Sequence, residues 1–457
     1  MSLCMNNTPM GGGGKYLINN ILAKHPFAQL KIMPMKRFLF VLSLFALASC
    51  QKQEAIRPNE APSTESQTIS LNDALENLQN LRSELFPETK SSLDDILSVE
   101  VFGKCQTKSS ISSVPDTLLY LVNLKEGGFA ILAGQTKLTS PVFCITDEGA
   151  LSSNQMEEAL NKLDEDLSTK ADIEEEEFND CGEIVVPMMI LSSAINQMEM
   201  TQNELEEYDV QTKADTYRDV TKCGPFLKTK WHQDSPFNDF QEKGYPAGCV
   251  AIATAQILEF NRKYDTSNKD QRFNWTLLET VNNCSNVYNY GTADAQKEAS
   301  KFLEFVGKKD NCNIKYKSGG SSGCADGAKR TFKNFKYCNV DKSLGFEKKD
   351  KNKVIAQLTK GLPVYMDGMY KMSSGHAWVI DGLYVREVLD ANTLDHVRTE
   401  NLFHINWGWQ GLSDGYYTQG VFDTSQRVTT ESGVDTGSMS SRHQYTWDYR
   451  TIVYDVE

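Results

Sequence analysis

Apolar and polar positions alternate with different periods along this chain, and the longest coherent stretch runs from Tyr245 to Phe260. Pro246 and Gly248 form a turn signal, after which Val250, Ala253, Ile257 and Phe260 recur at helical spacing, widened by Ala251, Ala255 and Leu258. So many small apolar positions predict a central, buried helix. Earlier, Leu71, Ala74, Leu78 and Leu81 predict a helix over Ser70 to Leu85, with Asp73 and Glu76 in its first turns. Thr117 to Ala133 reads as a hairpin turning at Glu126-Gly127-Gly128. Gln155 to Leu167 reads as a helix. Ile173 to Glu177 is a solvated charge run rather than a metal site. An apolar stretch from Ile184 to Met189 precedes a further helical run to about Glu207. Tyr208 to Lys222 has no apolar pattern and predicts an exposed linker open to proteases. Beyond it come a helix over Gln296 to Val306 and a strand-rich end.

A length of 457 residues exceeds one ordinary core, so two domains are expected, with the boundary at residue 215. The near N-terminus adds a targeting segment. Lys36-Arg37 precede an apolar run from Phe38 to Ala48, too short to span a membrane as a permanent helix. Cys50 directly after Leu47-Ala48-Ser49 resembles a bacterial lipobox, in which the cysteine receives lipid chains and anchors the protein to a membrane. Residues 1–34 carry nothing functional, and Met35 is the more plausible start. The expected plan is therefore a leader and lipoprotein signal over 1–50, a polar tether over 51–67, an early domain over 68–215 and a later domain over 216–457. Localisation follows as exported, on an outer membrane or cell surface, with release after processing open.

The net charge of −14 excludes a nucleic-acid partner, because no basic face is present to meet phosphates. Eleven cysteines suit an exported chain. Without Cys4, Cys50 and Cys249, eight remain; if all eight pair, at least one bridge must join Cys105, Cys144 or Cys181 to the later group of Cys223, Cys284, Cys312, Cys324 and Cys338. No C-x-x-C spacing occurs, so neither zinc nor any other cofactor is expected. The Ser318 to Gly323 run reads as a plain turn, since no Walker-type Lys and helix follow.

Cys249 opens the buried helix, where unpaired N–H groups and the helix dipole favour a thiolate. Such a nucleophile needs a base and a group that orients the base. His376 lies in the strand pattern Gly375-His376-Ala377-Trp378-Val379-Ile380, and Asn406 in Phe403-His404-Ile405-Asn406-Trp407. An antiparallel ladder pairing His376 with Asn406 centres its connection on Ala391, within Asp390-Ala391-Asn392-Thr393. The amide then fixes the imidazole tautomer, and Trp407 shields that bond from water. His404 reads as a structural partner of the same strand. His232, His396 and His443 read as surface residues.

The segments around Cys249, around His376 and around Asn406-Trp407 resemble the streptopain family of cysteine peptidases, as does the upstream run from Leu227 to Asn238 containing Gln233. The early domain resembles that family's prosegment more faintly, through Tyr120 to Leu132. The resemblance implies an α+β architecture: a papain-like catalytic domain, its Cys-bearing helix packed on an antiparallel sheet, preceded by an α+β inhibitory prosegment. It implies a zymogen whose substrates are proteins or peptides and whose own prosegment is its inhibitor. Cys249 is then the nucleophile, His376 the base and acid, Asn406 and Trp407 the orienting and shielding pair, and Gln233 an oxyanion-hole donor beside a helix-end N–H. Gln410 departs from the family, which has glycine there, and the extra cysteines and the acidic insert near Glu174 depart as well. Three rival readings stand beside this one. They are a transglutaminase or amidase using the same Cys-His-Asn logic, a non-catalytic binding lipoprotein, and a peptidase held latent by a disulfide between its halves.

Overall fold

The computed structural model describes residues 67–88, 92–104, 114–168, 182–200, 215–262, 272–282, 290–370, 374–422 and 447–456. The leader, the tether, the charge run at Ile173 to Glu177, His443, and Cys105, Cys181 and Cys284 lie outside them. The described residues form one compact unit.

In chain order the elements begin with α1 (Leu71–Leu85), β1 (Ile96–Phe102), β2 (Leu119–Leu124), β3 (Phe129–Ala133), β4 (Val142–Thr146), α2 (Ser153–Ser168), α3 (Gly182–Glu199) and β5 (Asp215–Cys223). There follow α4 (Cys249–Asn261), α5 (Trp275–Asn282), α6 (Ala293–Gly307), α7 (Ala325–Asn334), β6 (Cys338–Leu344) and α8 (Lys348–Thr359). The end of the chain supplies β7 (Val364–Tyr370), β8 (Ser374–Asp390), β9 (His396–Asn406), β10 (Gly415–Thr418) and β11 (Trp447–Asp455). The class is α+β. All pairings are antiparallel, in the order β1-β2-β3-β4-β10-β9-β8-β7-β11-β6, with β5 added alongside β8.

Local chemistry explains the early elements. Ser70 caps α1 by accepting from the Asp73 N–H, and Ala74, Leu78, Leu81 and Leu85 form its buried stripe. The hairpin falls where expected, with Gly127 at φ +102° and Gly128 at +81° making the turn. Every residue of β2 is buried, so its sequence shows no polar alternate face. The apolar stretch from Ile184 is itself helical and belongs to α3, so the stretch and the helical run after it are a single element. Side chains within 184–195 are nearly all buried, which removes the polar face that would have revealed a helical period.

Alternation along the central strands creates two cores. Val364, Met366, Trp378 and Ile380 join the cluster that also contains the apolar residues of α1 to α3 and β2 to β4. Tyr365, Ala377 and Val379 point the other way, into the cluster formed with α4, α6 and α7. The early and later halves therefore share a hydrophobic core and a sheet, joined where β4 pairs with β10 (Ile145 opposite Tyr416). Polar contacts reinforce the junction. Glu84 of α1 accepts from Arg386 Nη1 at 2.8 Å and from the Tyr384 hydroxyl at 2.9 Å, and Arg386 also binds Glu400 at 2.8 Å. Burial raises the Glu400 carboxyl, but the guanidiniums of Arg386 and Arg398 outweigh it and hold the group below its ordinary range.

The expected exposed linker is a strand over its described part. Residues 216–220 are mostly exposed, as expected, yet they pair with β8 (Thr216 opposite Leu389, Lys222 opposite Tyr384). An outer strand can satisfy its backbone without burying a face, so an apolar pattern is not required of it. Cys144, Cys223, Cys312, Cys324 and Cys338 stand as thiols. Among the described residues none of these five forms a bridge between the halves. Cys144 lies buried within the sheet, and Cys312 is enclosed by Thr254 and Thr331.

Candidate active site

The site is built on the N-terminus of α4. Gly248 precedes it at φ +91°, a conformation that suits glycine, and a Cβ there would also crowd Ile314 at 3.2 Å and Ser321 at 3.4 Å. The Ser318–Gly323 turn is thus part of the wall beside the helix start. Val250 through Glu259 are buried, while Cys249 keeps partial exposure at the head of the helix. No side chain caps this end, so its first-turn N–H groups and the dipole act on whatever occupies it. The thiol of Cys249 is the group in that place.

Gln233 approaches through the main chain: its carbonyl accepts from the Ala247 N–H at 2.8 Å, two residues before Cys249. Trp231, two positions earlier, is fully buried in the α4 core and receives the Gln410 N–H on its carbonyl at 3.3 Å.

His376 is 2 % exposed, at the start of β8. Its Nε2 donates to the Trp407 carbonyl at 2.8 Å, since a carbonyl can only accept. Its ring stacks on Trp409 with centroids 4.4 Å apart, and on Trp407 and Trp378 at 6.2 Å and 6.3 Å. With the proton on Nε2, the neutral imidazole presents Nδ1 as its basic atom.

Asn406 does not hold that imidazole here. Its Nδ2 donates to the Thr229 carbonyl at 2.8 Å, and its Oδ1 accepts from Gln256 Nε2 at 3.0 Å and from the Gly408 N–H at 3.1 Å. The expected register is corrected accordingly: Val379, not His376, lies opposite Asn406. Two features move the ladder. Asp390 Oδ1 accepts from the Asn392 and Thr393 N–H groups, centring the turn after Ala391, and Asp381 and its neighbours carry an irregularity between Ile380 and Gly382. What Asn406 does is tie the end of β9 to the second turn of α4. Gly408, at φ +73°, lets this turn press on the helix, where a Cβ would lie 3.0 Å from Ile252.

Trp407 is buried and packs against Trp378 and Trp409 at 5.0 Å and 5.3 Å, so it does form part of an apolar cover beside His376. Gln410 sits at φ +63°, a region costly for a residue with a Cβ.

Of the other described histidines, one diverges from expectation. His232 is not a surface residue: its ring packs on Phe237 and Tyr290 at 5.1 Å and 5.4 Å, and burial lowers its pKa. Phe237 is five residues away, but Tyr290 is distant in sequence, and only folding brings it onto the ring. His396 is exposed and bonds Thr399 at the start of β9. His404 is buried, with Nδ1 at 2.6 Å from Asp381 and Nε2 at 3.2 Å from Asp147 of the early half. Burial opposes its charged form, but the two carboxylates prevail and push its pKa up to about 10. Sequence reasoning missed Asp414, whose Oδ1 accepts from the Trp407 N–H at 2.8 Å. Burial drives that carboxyl up to about 8.

Among the described residues, no group of three or more His, Cys, Asp or Glu side chains is arranged to hold a metal ion. No described helix is long and apolar enough to cross a membrane.

Comparison with known proteins agrees with this chemistry. Residues 231–417 match the Peptidase C10 family. Streptopain of Streptococcus pyogenes serotype M28 (strain MGAS6180) is 24 % identical over 323 residues, spanning 65 % of this chain and 73 % of the relative. The thiol protease/hemagglutinin PrtT of Porphyromonas gingivalis is 25 % identical over 247 residues, 46 % of this chain and 26 % of that protein. Among solved structures, a fragment of Prevotella intermedia prointerpain A aligns at TM-score 0.45 with 16 % identity, covering 78 % of this chain and 99 % of the fragment. Active interpain A from the same organism aligns at 0.35 with 21 % identity, over 51 % of this chain and 96 % of its own. The matched region contains the thiol at the helix end, the tryptophan-flanked imidazole and the Asn-Trp strand end, and this chain is a cysteine peptidase similar over that region to the Peptidase C10, or streptopain, family.

Proposed function

We propose that the chain is an exported endopeptidase made as a zymogen, with Cys249 as nucleophile and His376 as general base and acid. The observation that carries the assignment is the partly exposed Cys249 thiol at an uncapped N-terminus of a buried helix. The thiolate attacks the scissile carbonyl to give a tetrahedral oxyanion, which the Gln233 amide and a first-turn N–H of α4 stabilise. Protonated His376 gives its proton to the leaving amine. The acyl-enzyme is then hydrolysed by a water that His376 deprotonates. Trp407 excludes bulk water from the imidazole, and Asn406 anchors the Trp407 segment to α4 through Gln256.

Residues 68–215 act as the inhibitory prosegment in this reading, and Cys50 carries the lipid that tethers the exported protein to a membrane. The continuity of the sheet from β4 into β10 supports a prosegment that is seated on the catalytic half before processing.

The test follows the full chain and its Cys249→Ala twin by mass under mild reductant. Loss of an early fragment from the wild type alone, with cleavage of casein afterwards, is the expected result. If both proteins stay intact and trypsin-trimmed wild type leaves casein uncut, the assignment of Cys249 fails. Labelling with a palmitate precursor in cells, lost on Cys50→Ser, tests the anchor.

A further inference from the structure

We infer that Asp414 is a positioning residue for catalysis: its carboxyl holds the Trp407 peptide, and the Trp407 carbonyl in turn fixes which ring nitrogen His376 offers. The inference rests on His376 being the base proposed above.

The chain from Trp407 to Asp414 is a closed turn. Leu412 N–H donates to the Trp409 carbonyl, Asp414 N–H donates to the Gly411 carbonyl, and both Gln410 and Ser413 take positive φ. β9 ends at Asn406, and β10 pairs Gly415 with Ile405, so the Trp407 N–H lies just beyond the last cross-strand partner. The Asp414 Oδ1 takes that N–H at 2.8 Å, in place of the missing strand. The other end of the same residue, the Trp407 carbonyl, is the acceptor for His376 Nε2. A carboxyl that holds the Trp407 N–H fixes the peptide before this residue and so limits where the next peptide, which carries the Trp407 carbonyl, can point, and through that acceptor it positions the imidazole. The residue is 6 % exposed, so bulk water does not compete for the bond.

The groups facing the carboxyl are the His404 imidazole from β9, Asp381 from β8, Asp147 from the early half and the Tyr417 hydroxyl from β10. Burial favours the neutral acid, the two carboxylates favour it further, and His404 and the Trp407 N–H favour the anion. Asparagine reproduces the acceptor without the ability to ionise; alanine removes both.

The experiment uses the full chain, activated by its own processing and assayed on a fluorogenic peptide, with rates expressed per site titrated by an irreversible peptidyl alkylator, after subtracting the label taken up by Cys249→Ala. Asp414→Ala is expected to lower kcat per titrated site by about 10²-fold with KM changed less than about threefold. Asp414→Asn is expected to restore neutral-pH kcat to within about threefold, because its amide oxygen still accepts from the Trp407 N–H. A role confined to folding would lower the titrated fraction and leave kcat per site unchanged; that result overturns the inference. Should Asp414→Ala fail to fold, Asp414→Leu takes its place at a closer volume, and a kcat per titrated site equal to that of wild type overturns the inference. His376→Ala separates the two readings. Full activity in that variant removes the base itself, whereas an inactive His376→Ala beside a fast Asp414→Ala removes only the positioning role.

Discussion

His376 Nε2 lies 2.8 Å from the Trp407 carbonyl oxygen, while the amide of the adjacent Asn406 turns away to Thr229 and Gln256. The side chain that stands where an orienting amide is expected therefore acts on the helix, and a main-chain carbonyl acts on the imidazole.

Gln256 should accordingly matter without touching substrate. It is fully buried, and its Nε2 is the donor that joins α4 to the end of β9. Replacing Gln256 by Leu leaves Asn406 Oδ1 with only the Gly408 N–H and is expected to cost about 1–3 kcal/mol. Urea midpoints of inactive Cys249→Ala chains, with and without the change, measure it. An unchanged midpoint would contradict the coupling.

His404 gives the chain an alkaline weakness. Its folded pKa, about 10, stands above its ordinary value of 6.5, so the protonated form favours the fold. That stabilisation is complete below about pH 6.5 and is lost as pH rises through about 10. Asp414 acts in the same direction at lower pH, since a carboxyl raised to about 8 must ionise inside the fold as the solution passes that value. Urea unfolding between pH 6 and 9.5 should show wild type losing stability on the order of a few kcal/mol and His404→Gln a flatter curve. Parallel curves would mean that the imidazole between Asp147 and Asp381 is neutral.

Gln410→Gly is expected to stabilise the chain. The residue holds φ +63°, where a Cβ costs about 1 kcal/mol, and glycine removes that strain against a smaller entropic loss. A rise of a few tenths of a kcal/mol to about 1 kcal/mol in thermal or urea unfolding is the expected result. A fall would show that the Gln410 side chain contributes more than its backbone strain costs.

Glu84 holds the early half to the later one. Its carboxylate serves both Arg386, whose side chain is 2 % exposed, and Tyr384. Glu84→Ala leaves Arg386 with Glu400 as its remaining anion and is expected to lower stability by about 1–3 kcal/mol. In the zymogen reading the same change speeds loss of the early fragment, which a time course of mass would record. An unaltered rate would place the restraint elsewhere, with the junction of β4 and β10 as the next contact to weaken.

The sequence by itself determined the elements whose signals are local. Ser70 and the spaced leucines of α1, the Gly127-Gly128 hairpin and the buried helix after Cys249 needed only capping, turn and periodicity rules. Cys249, His376, Asn406, Trp407 and Gln233 could be proposed from sequence as well, because each lies in a run of residues long enough to carry a resemblance. Tertiary structure decided what these residues touch. The ladder between β8 and β9 moved by three residues at Asn406, since an Asp390-centred turn and an irregularity beside Asp381 set the register, and neither is visible in a hydrophobic pattern. The packing of Tyr290 on His232 and the placing of His404 between Asp147 and Asp381 join positions that come together only when the chain closes, and the grip of Asp414 on Trp407 depends on the turn between β9 and β10. A pattern in sequence fixes which face a residue shows; which partner meets that face depends on strands and turns folded from elsewhere.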